Sequence, residues 1–176
     1  RKGGTIMILV DNINILKKIY PNTWNKLKSL ENSISKDFIK LEETRKGKKT
    51  LYINKDDKKM YLHSKYDPIR EAEAIVENYK EIEDGITVIF YGTGLGYHIK
   101  LILEKYPNIK CYIYEPIPDL IYNFLANVNL KDFKRNRLME ISIGLENIAN
   151  SINRFADLNT NELIIVELPS HKQNFP

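Results

Sequence analysis

Five residues, Gly92-Thr93-Gly94-Leu95-Gly96, constrain the fold of this chain more than any other segment. They follow the apolar run Ile86–Tyr91 and precede Tyr97-His98-Ile99, where a helical pattern begins. Glycines at such a junction allow a tight reversal, close approach of the backbone to a neighbour and close helix–strand packing. The first helical N–H groups are left free there, and the helix dipole adds partial positive charge. At the end of the next apolar run, 19 residues after Gly96, stands Glu115. An acid in that position can accept hydrogen bonds from ribose hydroxyls.

From Gly85 onward strands and helices alternate. Ile86–Tyr91, Lys110–Glu115, Leu138–Ser142 and Glu162–Leu168 read as strands, and Gly96–Tyr106, Ile117–Val128 and Leu145–Asp157 as helices. Apolar strands alternating with helices imply a parallel sheet covered on both faces, and right-handed crossovers place the first strand centrally. The fold class is therefore α/β: a Rossmann-like parallel sheet flanked by helices over residues 64–176. It is preceded by a helical arm (1–47) and a β-hairpin (48–63). In the arm, Leu9, Ile13, Leu16 and Ile19 recur at helical spacing, and Pro21 ends that run. Asn22 or Thr23 can cap a second helix carrying Trp24, Leu27 and Leu30, and Ile34, Phe38 and Leu41 suggest a third, shorter turn. The hairpin pairs Lys48–Asn54 with Lys58–His63 across Lys55-Asp56-Asp57. Asp67 before Pro68 is a helix start, with Ala72, Ile75, Val76 and Tyr79 turned inward.

The formal charge of +4 is uneven: residues 1–65 carry a net +9 and residues 66–176 a net −5. Lys46, Lys48, Lys49, Lys55, Lys58 and Lys59 crowd the hairpin without interleaved stacking aromatics, so they read as a solvated face and not as a nucleic-acid surface. Cys111, inside an apolar strand, reads as a buried core residue. One Cys and three scattered His (His63, His98, His171) show no metal-ligand spacing, and a reducing, cytoplasmic setting is the default. No apolar stretch approaches the ~20 residues that span a membrane. The start Arg1-Lys2-Gly3-Gly4-Thr5 and the end Asn174-Phe175-Pro176 read as the limits of a piece cut from a longer protein.

The turn discriminates among ligands. A dinucleotide fingerprint needs glycine where this chain has Tyr97, which argues against NAD or FAD. The spacing resembles the first motif of S-adenosylmethionine-dependent methyltransferases, but Phe90 stands where those carry an acid. The turn is thus either a ligand cleft or a feature of the fold alone. As a cleft it comprises Gly92, Thr93, Gly94, Leu95, Gly96, Tyr97, His98 and Glu115, with His98 donating to an anionic group or else lying on the surface. Ser64, Lys65, Tyr66 and Asp67 could form a lid over it, with Asp67 as a plain N-cap the barer reading. Glu167, Ser142 and Gly144 lie at strand ends facing the same edge. Asp119 and Glu104 read as helix-surface charges.

Two segments taken together carry a family resemblance. Leu62-His63-Ser64-Lys65-Tyr66-Asp67-Pro68, with Glu71-Ala72 following, precedes Tyr91-Gly92-Thr93-Gly94-Leu95-Gly96-Tyr97-His98 and then Glu115-Pro116. In this order and spacing the chain resembles the N-terminal region of the motility accessory factor (Maf) flagellin glycosyltransferases. The resemblance implies a protein that attaches nonulosonic acids such as pseudaminic acid to flagellin Ser or Thr from a CMP-linked donor. It also implies that sugar transfer belongs to a following domain with a Gly-Pro-Ser-Leu-type motif, which this chain lacks, so no catalytic residue is assigned. The implied ligand is a CMP-linked nucleotide-sugar, or S-adenosylmethionine on the methyltransferase alternative. The implied partners are the downstream catalytic domain and flagellin.

Overall fold

The computed structural model describes residues 2–35, 37–133, 137–144, 153 and 162–175. Two N-terminal helices, α1 (Lys2–Ile19) and α2 (Pro21–Ser29), lead into a three-stranded antiparallel sheet of β1 (Ile39–Glu43), β2 (Lys49–Lys55) and β3 (Lys58–Tyr61). The helix α3 (Pro68–Glu77) then enters the α/β unit. That unit runs β4 (Thr87–Tyr91), α4 (Tyr97–Lys105), β5 (Lys110–Glu115), α5 (Pro118–Asn127), β6 (Leu138–Ile143), β7 (Leu163–Glu167) and α6 (Pro169–Asn174). The helix expected over Leu145–Asp157 falls almost wholly outside the described residues.

All four strands of the second sheet are parallel, in the order β6-β5-β4-β7, so the first strand of the alternation lies inside the sheet as expected. This is half of a doubly wound arrangement, and it sets the C-terminal ends of β4 and β5 side by side. The core on one sheet face joins Val88, Phe90, Ile113 and Ile141 to Leu16, Tyr20 and Leu27 of the N-terminal helices. Cys111 is fully buried there, and burial pushes its thiol up to about 12.

Polar side chains fix the helical arm to this core. Asn12, fully buried, donates to the carbonyls of Leu125 and Val128 at 2.7 and 2.6 Å and accepts from Leu130 N–H at 2.9 Å. It thereby satisfies backbone groups released where α5 ends. Tyr20 and Thr23 donate to the carbonyls of Leu138 and Ile141 at 2.6 and 2.7 Å, which covers the edge strand β6. Thr23 is therefore not the helix cap its sequence position suggests. Tyr20 occupies that position without a side-chain bond, and the threonine hydroxyl is used on the sheet.

The strand β1 replaces the short helical turn expected around Phe38 and Leu41. Ile39 pairs with Ile53 and Leu41 with Leu51, so the backbone finds a ladder partner that local periodicity cannot reveal. Asp56 and Asp57 both have positive φ (51° and 60°), the conformation that matches a two-residue hairpin turn to strand twist. Ile39, Leu51, Ile53 and Leu62 form a second core with Leu95 and Leu120. Each such side chain, taken out of water, contributes roughly 1.5–3 kcal/mol. This packing lays the small sheet over the glycine turn.

Candidate functional site: a glycine turn filled from within

The turn between β4 and α4 forms where expected, and glycine is required there by its surroundings. Gly92 has φ +89°, and a Cβ on it would lie 2.9 Å from the His171 ring. Gly94 has φ +52°, and its Cβ would lie 2.3 Å from His63 Nε2. At Gly96 the corresponding neighbour is the Phe124 ring at 2.7 Å. The space opened by the missing side chains is thus taken by side chains of this chain itself.

Glu115 is fully buried and lies beside the turn. Its Oε1 accepts from Thr93 N–H at 3.0 Å and from Thr93 Oγ1 at 3.2 Å. Its Oε2 accepts from Ile117 N–H at 3.1 Å and meets His171 Nε2 at 2.7 Å. A carboxylate here only accepts, so His171 Nε2 carries the proton. Its Nδ1 is buried without a partner among the described residues. The sequence placed Glu115 correctly, but all four of these bonds are internal.

His63 performs the matching task on the other side. It is 3% exposed, and its Nε2 accepts from Leu95 N–H at 2.8 Å. A backbone N–H can only donate, so the imidazole proton sits on Nδ1, 3.7 Å from Glu71 Oε1. The amide that could greet a ligand oxygen is engaged by an imidazole nitrogen. Ser170 Oγ donates to the Leu62 carbonyl at 2.5 Å, joining the two histidine-bearing segments. Tyr97 donates to the Lys49 carbonyl at 2.6 Å and packs edge-on to His63, tying the small sheet to the start of α4.

His98, the third histidine, is fully buried with its ring edge-on to Phe90. Its placement excludes the surface alternative. Burial holds its pKa down to about 3, with the neighbouring His63 adding to the effect. Among the described residues the ring nitrogens make no hydrogen bond of ordinary geometry, although the nearby Gly92 carbonyl pulls weakly the other way. Tyr91 stacks on Tyr114 and meets the His171 ring edge-on.

The segment after His63 spends its polar groups locally. Ser64 Oγ accepts from the N–H groups of Tyr66 and Asp67, each at 3.1 Å, and Asp67 Oδ1 caps α3 through Arg70 N–H at 3.1 Å. Tyr66 is exposed between Arg45 and Lys65. Gly92 through His98 and Glu115 therefore come together, whereas Ser64, Tyr66 and Asp67 sit beside them without a hydrogen bond to the turn among the described residues. Glu167 pairs at its carboxylate with Lys172 at 3.6 Å, and its N–H donates to Tyr79 Oη at 3.0 Å. Gly144 donates its N–H to the Glu115 carbonyl and accepts from the Tyr114 hydroxyl. Asp119 is a correction: it is 7% exposed, not a surface charge, and Oδ2 accepts from Ser35 N–H at 3.2 Å.

Sequence reasoning passed over His63 and His171 as site residues. His63 stood in a segment that carried the family resemblance and His171 offered only its residue type; their partners lie 32 and 56 positions away. The glycines allow a direct test of this filling. Gly94→Ala is expected to lose about 3 kcal/mol in chemical denaturation, since it combines a left-handed conformation with a collision at His63. Gly47→Ala, also at positive φ but with open space around it, should lose only about 1–2 kcal/mol. Equal losses at the two positions would show that His63 does not fill the turn.

These features define a Rossmann-like α/β domain whose strand-end crevice is closed by its own side chains. The profile of the family described as the glycosyltransferase Maf N-terminal domain matches residues 22–136, and the chain belongs to that family. A solved structure, that of the Maf glycosyltransferase from Magnetospirillum magneticum AMB-1, is similar at a TM-score of 0.55 and 15% identity. The match covers 92% of this chain and 32% of that one. At that identity the likeness is one of fold, and the chain spans about a third of the length of that relative. No curated protein matches this sequence. Among the described residues, no helix is long and apolar enough to cross a membrane.

Proposed function

We propose that this domain is the accessory N-terminal part of a cytoplasmic protein glycosyltransferase that transfers a nonulosonic acid from a CMP-linked donor to flagellin. In this reading the glycine turn is an architectural node that holds α6 and the small sheet against the parallel sheet. Sugar transfer belongs to a further domain of the same protein. Membership of the Maf N-terminal family supports the first part. One observation carries the second: Glu115, the residue suited to ribose hydroxyls, is enclosed by Thr93, Ile117 and His171.

The methyltransferase alternative is disfavoured by the same geometry. Phe90 stands where a donor-binding acid would be, and it is fully buried in the core. Calorimetric titration of the full-length protein with S-adenosylhomocysteine is expected to give no binding tighter than about 1 mM. Micromolar binding that disappears in Glu115→Gln would overturn the architectural reading. The glycosyltransferase reading is tested separately, by incubating the full-length protein with flagellin and a CMP-linked nonulosonic acid. Intact-mass analysis should show sugar added to flagellin, and unmodified flagellin would count against it.

A further inference from the structure

Next to the glycine turn lies a cleft that neither Glu115 nor the two turn-filling histidines lines. It has a volume of about 410 Å³ and is walled by the start of β2, the start of α4, and the end of α5 with the turn that follows. Leu95, Tyr97 and Val128 give it apolar walls. The bond from Tyr97 to the Lys49 carbonyl fixes the β2 side against the α4 side, so the cleft is formed in advance. Its size falls in the range of small-molecule sites, and apolar walls with a few convergent polar groups are their usual composition.

The polar groups are of one dominant sign. Lys48, Lys49 and Lys100 line the cleft, against the single carboxylate of Asp132. Lys100 stands 3.8 Å from Asp132, whereas Lys48 and Lys49 have no ion pair among the described residues. Two cations without counter-ions in one concavity attract an anion more strongly than the same charges on a flat surface. Asn127 adds a different demand. Its Nδ2 donates to the Asn123 carbonyl, but its Oδ1, enclosed at the cleft wall, has no partner among the described residues. An unpartnered carboxamide oxygen at the wall calls for a donor such as a hydroxyl.

We propose that this cleft binds a small phosphorylated, hydroxyl-bearing molecule such as a sugar phosphate, its phosphate held by Lys48, Lys49 and Lys100 and a hydroxyl by Asn127. The site goes beyond the proposed function and is independent of it, since none of the three lysines contacts Glu115. Charge-assisted bonds to phosphate supply the affinity, and the acceptor on Asn127 discriminates in favour of a hydroxylated ligand.

The experiment uses the full-length protein with ribose 5-phosphate as probe and neutral ribose as control. Peptide mass spectrometry follows the modification rate of each lysine by an amine-reactive reagent. Saturating ribose 5-phosphate should slow Lys48, Lys49 and Lys100 by about tenfold and leave Lys17 and Lys105 unchanged, and ribose should protect none of them. Calorimetry on the Lys49→Ala/Lys100→Ala double variant should show binding weakened by about tenfold or more. These lysines are exposed, so the variant folds, and an unchanged melting curve verifies it. Uniform modification rates at all lysines, equal protection by ribose, or undiminished binding by the double variant would each overturn the proposal.

Discussion

Glu115→Ala is expected to lower stability by about 3–5 kcal/mol, read as a shift of the denaturation midpoint at unchanged slope. The carboxylate is fully buried, and its removal strands Thr93 N–H, Thr93 Oγ1, Ile117 N–H and His171 Nε2 at once. Each stranded donor loses the hydrogen bond that offset its desolvation. Glu115→Gln should fall between wild type and alanine, at about 1–3 kcal/mol, because one amide position then presents a donor to another donor. His171→Ala should be non-additive with Glu115→Ala, since both delete the same 2.7 Å contact. An alanine variant within about 0.5 kcal/mol of wild type would mean that the turn does not depend on this acid.

The second large effect is an acid sensitivity centred on His98. In the unfolded chain this imidazole takes a proton near its ordinary 6.5, but in the fold burial delays protonation to about 3. Between those two pH values the unfolded state binds a proton that the native state refuses. Stability is therefore complete above about 6.5 and declines as the pH falls towards 3. The loss reaches on the order of 4 kcal/mol from this residue alone. Denaturation series at pH 7 and pH 4 should differ by less in His98→Leu than in wild type. An identical pH response in both would show that His98 does not resist protonation. The non-polar replacement also faces Phe90, so it suits the pocket in which the ring lies.

The parts of the fold legible in the sequence are those set by local signals. The alternation from Gly85 onward locates β4, β5 and β6 to within a residue or two, and Asp67 before Pro68 marks the start of α3 with its side chain bonded as a cap must be. The strand β1 was not legible, because Ile39 and Leu41 mean little until β2 lies beside them. In the candidate site, the turn and Glu115 could be read from spacing. What surrounds them could not: His63 and His171 reach the turn only after the small sheet and α6 have packed. Asp119 shows the same limit, since the N–H its carboxylate accepts from is that of Ser35, 84 positions earlier.

The bond from Ser170 to the Leu62 carbonyl spans 108 positions, and the histidines beside those two residues close on one short turn. That turn has its full set of contacts only when both segments are in place, and contacts of such long sequence separation are slow to form. On the architectural reading proposed above, the turn is ordered by two segments of the chain, one ahead of the α/β unit and one at its end. On that reading the filled turn is a product of folding itself and needs no small molecule to complete it.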